Sequence, residues 1–284
     1  MNIVNTWQFN LIGYLITIVG FFQFYKLAVR AAKRDGAATI LLQTIAGISI
    51  LLLTPFLPFK ISSDPKIYAL LILASVFYAI NDRLQTTVRK NLQISLCSIL
   101  NQLSTVFLIM SGLLIFREPF VVSKIAGGVL IVLGNTISLY RKGRIEINRY
   151  IWLAILANMA LASAMSIDIG ISRQFNLPFY IMLTLILPSV MIMVIEKIKI
   201  EEIINEYQSK NRKYYLITGL MWGLAIFFSL RSFQFGKVTT IVPLQALSVL
   251  FNIMIAYLFL KERDYLFKKI IAAILIIFGV FLTV

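Results

Sequence analysis

Two aspartates stand where the chain otherwise avoids charge: Asp82 in YAINDRLQ and Asp168 in SAMSIDIGIS, each within or close to a long apolar stretch. A charged side chain costs about 2.5 to 3.5 kcal/mol at the centre of a helix in lipid, and less toward its ends. A carboxylate placed there can take up and release a proton, or face the ammonium group of a ligand. Asp82 has a second account, neutralisation by its neighbours Arg83 and Lys90 near the end of its stretch. Gln245, Ser248 and Asn252 recur at i, i+3 and i+7, one face of a helix, and Ser98, Asn101, Ser104 and Thr105 carry matching spacing in an earlier stretch. Two such polar stripes suit the lining of a binding cavity; alternatively they hydrogen-bond across helices as packing, worth under about 2 kcal/mol each. Tyr78, Trp222 and the run Phe21, Phe22, Phe24 and Tyr25 offer an apolar wall for an organic ligand, or serve as lipid-facing anchors and packing. Arg231, about one turn from the end of its stretch in FFSLRSFQFGK, either snorkels to the interface or holds a carboxylate or phosphate at a cavity mouth.

Other chemistries are excluded by what the chain lacks. With 0 histidines, 1 cysteine (Cys97) and 12 acids mostly in loops, there is no metal-ligand cluster, no Ser/His/Asp or Cys/His arrangement and no internal disulfide. No GxxxxGK[ST] occurs, so the chain hydrolyses no nucleotide by itself. No cofactor is expected. The formal charge of +15 does not point to nucleic acid, because Lys and Arg cluster at the ends of apolar runs rather than along one face among aromatics.

The elements that must position these residues are legible from composition. The chain is 60% hydrophobic with mean hydropathy +0.88, which belongs to a membrane. Nothing is charged before Lys26 and the first apolar run is span-length, so the first span is expected to be retained rather than cleaved. Apolar stretches of span length fall at about 7–29, 37–58, 67–87, 91–116, 121–140, 149–172, 177–196, 214–235, 238–260 and 266–283. They lack the period-2 alternation of a barrel, so ten transmembrane helices are predicted, and the loop 197–213 reads as a solvated or interfacial helical turn.

The halves repeat. LNQLSTVFLIM (100–110) is echoed by LQALSVLFNIM (244–254), and extended to Glu118 and Glu262 the pair shares eight of nineteen positions. IAGGVLIVLG (125–134) then lies over IIAAILIIFG (270–279). Residues 1–144 and 145–284 are read as two homologous five-helix units. Because five is odd, the units enter the membrane from opposite sides, an inverted repeat whose fourth and ninth helices face each other across a pseudo-two-fold axis.

An apolar helix, a short turn with a glutamate (FREPF at 116–120, LKERD at 260–264) and a closing helix with glycine near its end, present twice, resemble the paired EamA modules of the drug/metabolite transporter superfamily. The resemblance implies a ten-helix secondary transporter of small metabolites, with the fifth and tenth helices peripheral and the first, third, fourth, sixth, eighth and ninth lining the path. One departure is Gln102, where the family commonly places a proline in the fourth helix; Pro243 is kept at the start of the ninth. Glu118 and Glu262 are expected to cap backbone amides of the next helix. Gly127, Gly128 and Gly134, and the GxxxG at Gly219 and Gly223, allow close helix contact or a dimer face.

The expected function is secondary transport of a small organic metabolite, such as an amino acid or a related compound, with Asn101, Ser104, Gln245, Ser248, Asn252, Trp222 and Tyr78 as substrate contacts and Asp168 and Asp82 coupling a proton or another ion. The rivals are a membrane enzyme on a lipid-linked substrate, which needs acids, His or Arg clustered at one interface, and a non-transporting membrane partner. Partners are then the substrate, the bilayer of the inner membrane and the coupling ion, for a monomer or homodimer. Orientation divides the two lines of reasoning. Of the 27 Lys and Arg residues, 20 fall in the loops after odd-numbered spans, which places both termini outside, whereas the resemblance implies cytoplasmic termini.

Overall fold

The computed structural model describes residues 5–29, 32–92, 94–139, 148–251 and 266–283. Its helices are α1 (Trp7–Val29), α2 (Asp35–Leu51), α3 (Pro65–Asn91), α4 (Ile94–Leu114), α5 (Val122–Leu139), α6 (Arg149–Ile171), α7 (Leu177–Ile195), α8 (Ile200–Tyr207), α9 (Arg212–Phe235), α10 (Val238–Gln245) and α11 (Leu266–Thr283). Among the described residues there is no strand, as backbone in lipid requires of a chain that does not close a barrel. Among the described residues, six helices are long and apolar enough to cross a membrane: α1, α2 with the following turn, α3, α6 with its following turn, α7 and α9. Leu100–Leu114, Val122–Ile137, Val238–Phe251 and Ile271–Leu282 are shorter apolar helices within the described residues.

Local chemistry sets the helix starts. Asp64 accepts from the Lys66 amide at 2.9 Å ahead of Pro65, and Asn148 accepts from Tyr150 at 3.0 Å and Ile151 at 3.3 Å. Asn176 caps α7 by accepting from Phe179 at 3.2 Å, while its Nδ2 donates to the carbonyls of Thr54, Leu57 and Pro58. One buried amide therefore starts a helix and fastens the turn after α2. Two stops use left-handed non-glycine residues, Arg117 (φ 50°) after α4 and Lys197 (φ 51°) after α7. In α10, Pro243 has no amide to continue the ladder; the helix ends at Gln245 and resumes over 248–251.

α1 packs along α9 and α3 along α6; α2 lies against α7 and α9, α3 against α7, α4 against α6 and α10, and α5 against α11. When α1, α2, α3, α4 and α5 are exchanged for α6, α7, α9, α10 and α11, each of these contacts maps onto itself or onto another: α1–α9 onto α6–α3, α2–α9 onto α7–α3, α4–α6 onto α10–α1. Glycine makes two contacts intimate. A Cβ on Gly223 would meet the Ala46 carbonyl oxygen at 2.8 Å, and one on Gly279 the Gly127 carbonyl oxygen at 2.7 Å. The GxxxG of α9 is thus spent inside the chain, against α2.

At one end, α8 is tied to the turn before α2. Glu206 accepts from the amides of Lys33 at 2.7 Å and Arg34 at 3.3 Å and from the Tyr215 hydroxyl at 3.2 Å. Arg34 Nη1 donates to both oxygens of Glu202, at 2.6 and 2.8 Å, which holds that carboxyl below its ordinary range. Ile200 and Ile204 of α8 remain exposed, as befits a helix lying at an interface. At the other end, Glu118 accepts from the amides of Val238 at 2.7 Å and Thr239 at 2.9 Å and from the Thr239 hydroxyl at 2.6 Å. It caps α10 rather than the next helix in sequence: the left-handed turn at Arg117 folds the Glu118 amide back onto the Gly112 carbonyl and leaves the carboxylate beside the start of α10. Glu262 lies outside the described residues.

Candidate functional site

The interior polar groups converge on one face of α3. Ser75, Tyr78, Asn81, Asp82, Gln85 and Thr86 follow one another at helical spacings of three and four, and four of them reach other helices. The Tyr78 hydroxyl donates to Asp168 Oδ2 on α6 at 2.6 Å, and Tyr180 of α7 donates to Asp168 Oδ1 at 2.6 Å. Asp168 and Tyr180 are both fully buried. One carboxylate therefore joins three helices, with a phenol on each oxygen.

A second carboxylate lies one turn along the same face. Asp82 accepts from Gln43 Nε2 on α2 at 2.6 Å and from Asn81 Nδ2 at 2.8 Å, while Gln43 Oε1 accepts from Ser189 of α7 at 2.7 Å. Thr86 and Thr39 share a hydroxyl hydrogen bond at 2.9 Å beside it. Arg83 pairs with Glu196 and donates to Thr87 at 2.7 Å. The side chain of Lys90 lies outside the described residues.

Farther along, Asn101 Oδ1 accepts from Gln85 Nε2 at 3.1 Å and from Asn158 Nδ2 on α6 at 3.3 Å. The stripe leaves acceptors over: Asn81 Oδ1, Gln85 Oε1 and Asn158 Oδ1 are buried and accept no hydrogen bond from a described residue. Such orphans are uncommon in folded interiors and ask for a donor.

The other sequence-derived positions are distributed around this core. Gln245 donates to Ser229 at 3.0 Å and Ser232 at 3.4 Å, across the α10–α9 contact, and Ser248 is buried near it. Ser104 donates to the Asn101 carbonyl of its own helix at 2.7 Å. The α4–α10 link runs through Gln102, which accepts from Asn135 Nδ2 at 3.2 Å, the same nitrogen donating to the Ala246 carbonyl at 3.1 Å. Trp222 lies with its ring centroid 5.6 Å from that of Phe21, whose ring also meets Phe22 and Tyr25. Asn252 lies outside the described residues, as does the side chain of Ser98. Tyr78, Asp168, Asp82 and Asn101 are thus gathered along α3; Gln245 and Ser104 are engaged elsewhere, and Ser248 is buried three residues beyond Gln245.

Gln43, Ser189, Tyr180, Gln85 and Asn158 were not singled out by sequence reasoning. Gln43 in LLQTI and Asn158 in LANMA carried a usable signal, a lone amide in an apolar span. Tyr180 carried none, because an aromatic near a span end reads as an anchor.

A crystal structure of another protein, 13% identical, superposes with a TM-score of 0.71 over 95% of both chains and shares the fold. No curated protein matches the chain. Residues 148–284 match the EamA-like transporter family, and this match places the second half of the chain in the drug/metabolite transporter superfamily.

Proposed function

We propose that the chain is a secondary transporter of small organic metabolites bearing an ammonium group, amino acids and related compounds among them, and that the face of α3 is its substrate and coupling site. The observation that carries this is the concentration of acceptors on and beside the polar face of α3: the carboxylates of Asp82 and Asp168, and the buried amide oxygens of Asn81, Gln85 and Asn158, which accept no hydrogen bond from a described residue. An ammonium supplies three N–H donors for such oxygens and a positive charge for a carboxylate. Asp168 is the coupling group. Ionised, it accepts from both phenols; protonated, it has a hydrogen of its own to donate, and one tyrosine link must be rearranged. A proton thereby changes how α6 is tied to α3 or α7. Asp82, held by Gln43 and Asn81, holds the ammonium. Asn101, Ser104, Gln245, Ser248 and Asn252, with Tyr78 and Trp222, complete the lining as α4 and α10 move.

The matched packing under exchange of the two halves supports ten spans arranged as an inverted repeat, 1–144 and 145–284, which rocks about α3 and its counterpart α9. With the GxxxG buried against α2, a monomer suffices. The membrane is the inner one, with the Lys/Arg-rich α8 end in the cytoplasm.

Two measurements test this. Proteoliposomes loaded with a mixture of amino acids and amines, and read by mass spectrometry, should release one or a few components on an imposed pH gradient; retention of all of them at the rate of protein-free liposomes overturns the reading. In a Cys97→Ser background, a cysteine at Ser209 should be protected from an impermeant maleimide in intact cells and labelled after permeabilisation. Labelling of intact cells reverses the orientation and leaves transport untouched.

A further inference from the structure

At the end of the bundle opposite α8, three cations ring one pocket. It has a volume of about 440 Å³ and is lined by Lys60 from the α2–α3 turn, Arg173 from the α6–α7 turn and Arg231 from α9, over the rings of Phe175 and Phe235 and the cap Asn176. No carboxylate lines it, and among the described residues none of the three cations lies in an ion pair; the two pairs there are Arg34–Glu202 and Arg83–Glu196. Like charges brought together without an acid repel, and the chain does not relax them apart because both guanidiniums are held. Arg173 Nη2 donates to the carbonyls of Phe233 and Gln234, where it satisfies the end of α9. Arg231 Nη2 donates to Asn5 Oδ1 at 2.8 Å, and its carbon sits 5.3 Å over the Phe235 ring. Each still presents further N–H donors.

We propose that this pocket binds a small organic anion, its phosphate or carboxylate held between Arg231, Arg173 and Lys60 and its apolar body against Phe175 and Phe235. Guanidinium forks match the planar and tetrahedral oxygens of these groups, and the aromatic rings favour an anion with an organic body over a bare ion. The volume lies within the range of small-molecule sites. This site shares no lining residue with the α3 face: Phe175 of the pocket packs with its ring centroid 5.3 Å from that of Tyr180, whose hydroxyl serves Asp168.

The test measures binding alone, so its failure would leave the transport reading standing. Purified protein in phosphatidylcholine nanodiscs is titrated with phenyl phosphate and, in parallel, with neutral benzyl alcohol. Saturable binding of phenyl phosphate, weakened by added salt, and none of benzyl alcohol is expected. Lys60→Gln with Arg231→Gln, at positions outside the core, should weaken it by about tenfold or more. Arg173→Lys, which keeps the charge and the α9 carbonyls served, should weaken it less. Equal binding of both probes, or unchanged affinity in the double variant of unaltered melting temperature, overturns the proposal. Nanodiscs containing phosphatidylglycerol identify the source: competition with phenyl phosphate assigns the pocket to a lipid phosphate, and its absence to a soluble anion.

Discussion

Asp168→Asn protein in proteoliposomes is expected to lose all transport driven by a pH gradient while still exchanging substrate for substrate. The amide copies the shape of the protonated acid and cannot release a proton, so the state in which both phenols donate to a charged carboxylate is no longer reached. Asparagine also offers one acceptor where the two tyrosines need two, and a buried donor left unpaired costs about 1–3 kcal/mol. A lower melting temperature should therefore accompany the loss of coupling. Tyr180→Phe separates the two effects, because it removes one donor and leaves the carboxylate able to titrate. Coupled transport that survives in Asp168→Asn would remove this residue from the mechanism and make Asp82, one turn from Tyr78 on the same face of α3, the next to test.

The second large effect is structural. Gly223→Leu places a Cβ about 2.8 Å from a carbonyl oxygen of α2, and Gly219 one turn earlier is closed off at 2.5 Å by Ile45. Neither neighbour is a flexible chain end with room to yield, since the first is backbone. Overpacking costs about 1–3 kcal/mol in cores that can adjust and more where backbone blocks the way, so Gly223→Leu should give little or no monodisperse protein on size exclusion. Gly170→Ala is the control: nothing stands within 4 Å of its Cβ, and the variant should behave as the parent. Normal yield and melting temperature in Gly223→Leu would mean that α2 and α9 do not approach as closely as their glycine and alanine faces indicate.

How much of this was legible beforehand differs by level. Six of the predicted spans were, to within about two residues at each end, because apolar length and the punctuation at Asp64–Pro65, Asn148 and Asn176–Pro178 are local properties of the chain. That Asp168 and Asp82 stand inside or beside apolar helices was also legible, from the cost of putting them there. Their partners were not. Gln43 meets Asp82 across 39 residues and Tyr78 meets Asp168 across 90, pairings set by which helix faces lie together. Glu118 shows the limit well: its type and turn signalled a cap, but the helix it caps starts 120 residues away. Neither hydrophobic period nor spacing encodes that choice; the small residues that let helices approach do so only once both helices are in place.

Those same caps have a consequence for how the protein is made. The turn that joins α1 to α2 leaves the ribosome early, yet the carboxylate that completes it, on Glu206, is synthesised 173 residues after Lys33. Glu118, conversely, waits 120 residues for the amides of α10. A nascent chain halted before α8 therefore carries a hairpin whose loop amides have only water to bond, and one halted before α10 carries a carboxylate with no helix to start. The two ends of the bundle are sealed in a fixed order, the α8 end first, and every product halted between α2 and α10 leaves at least one of these turns open.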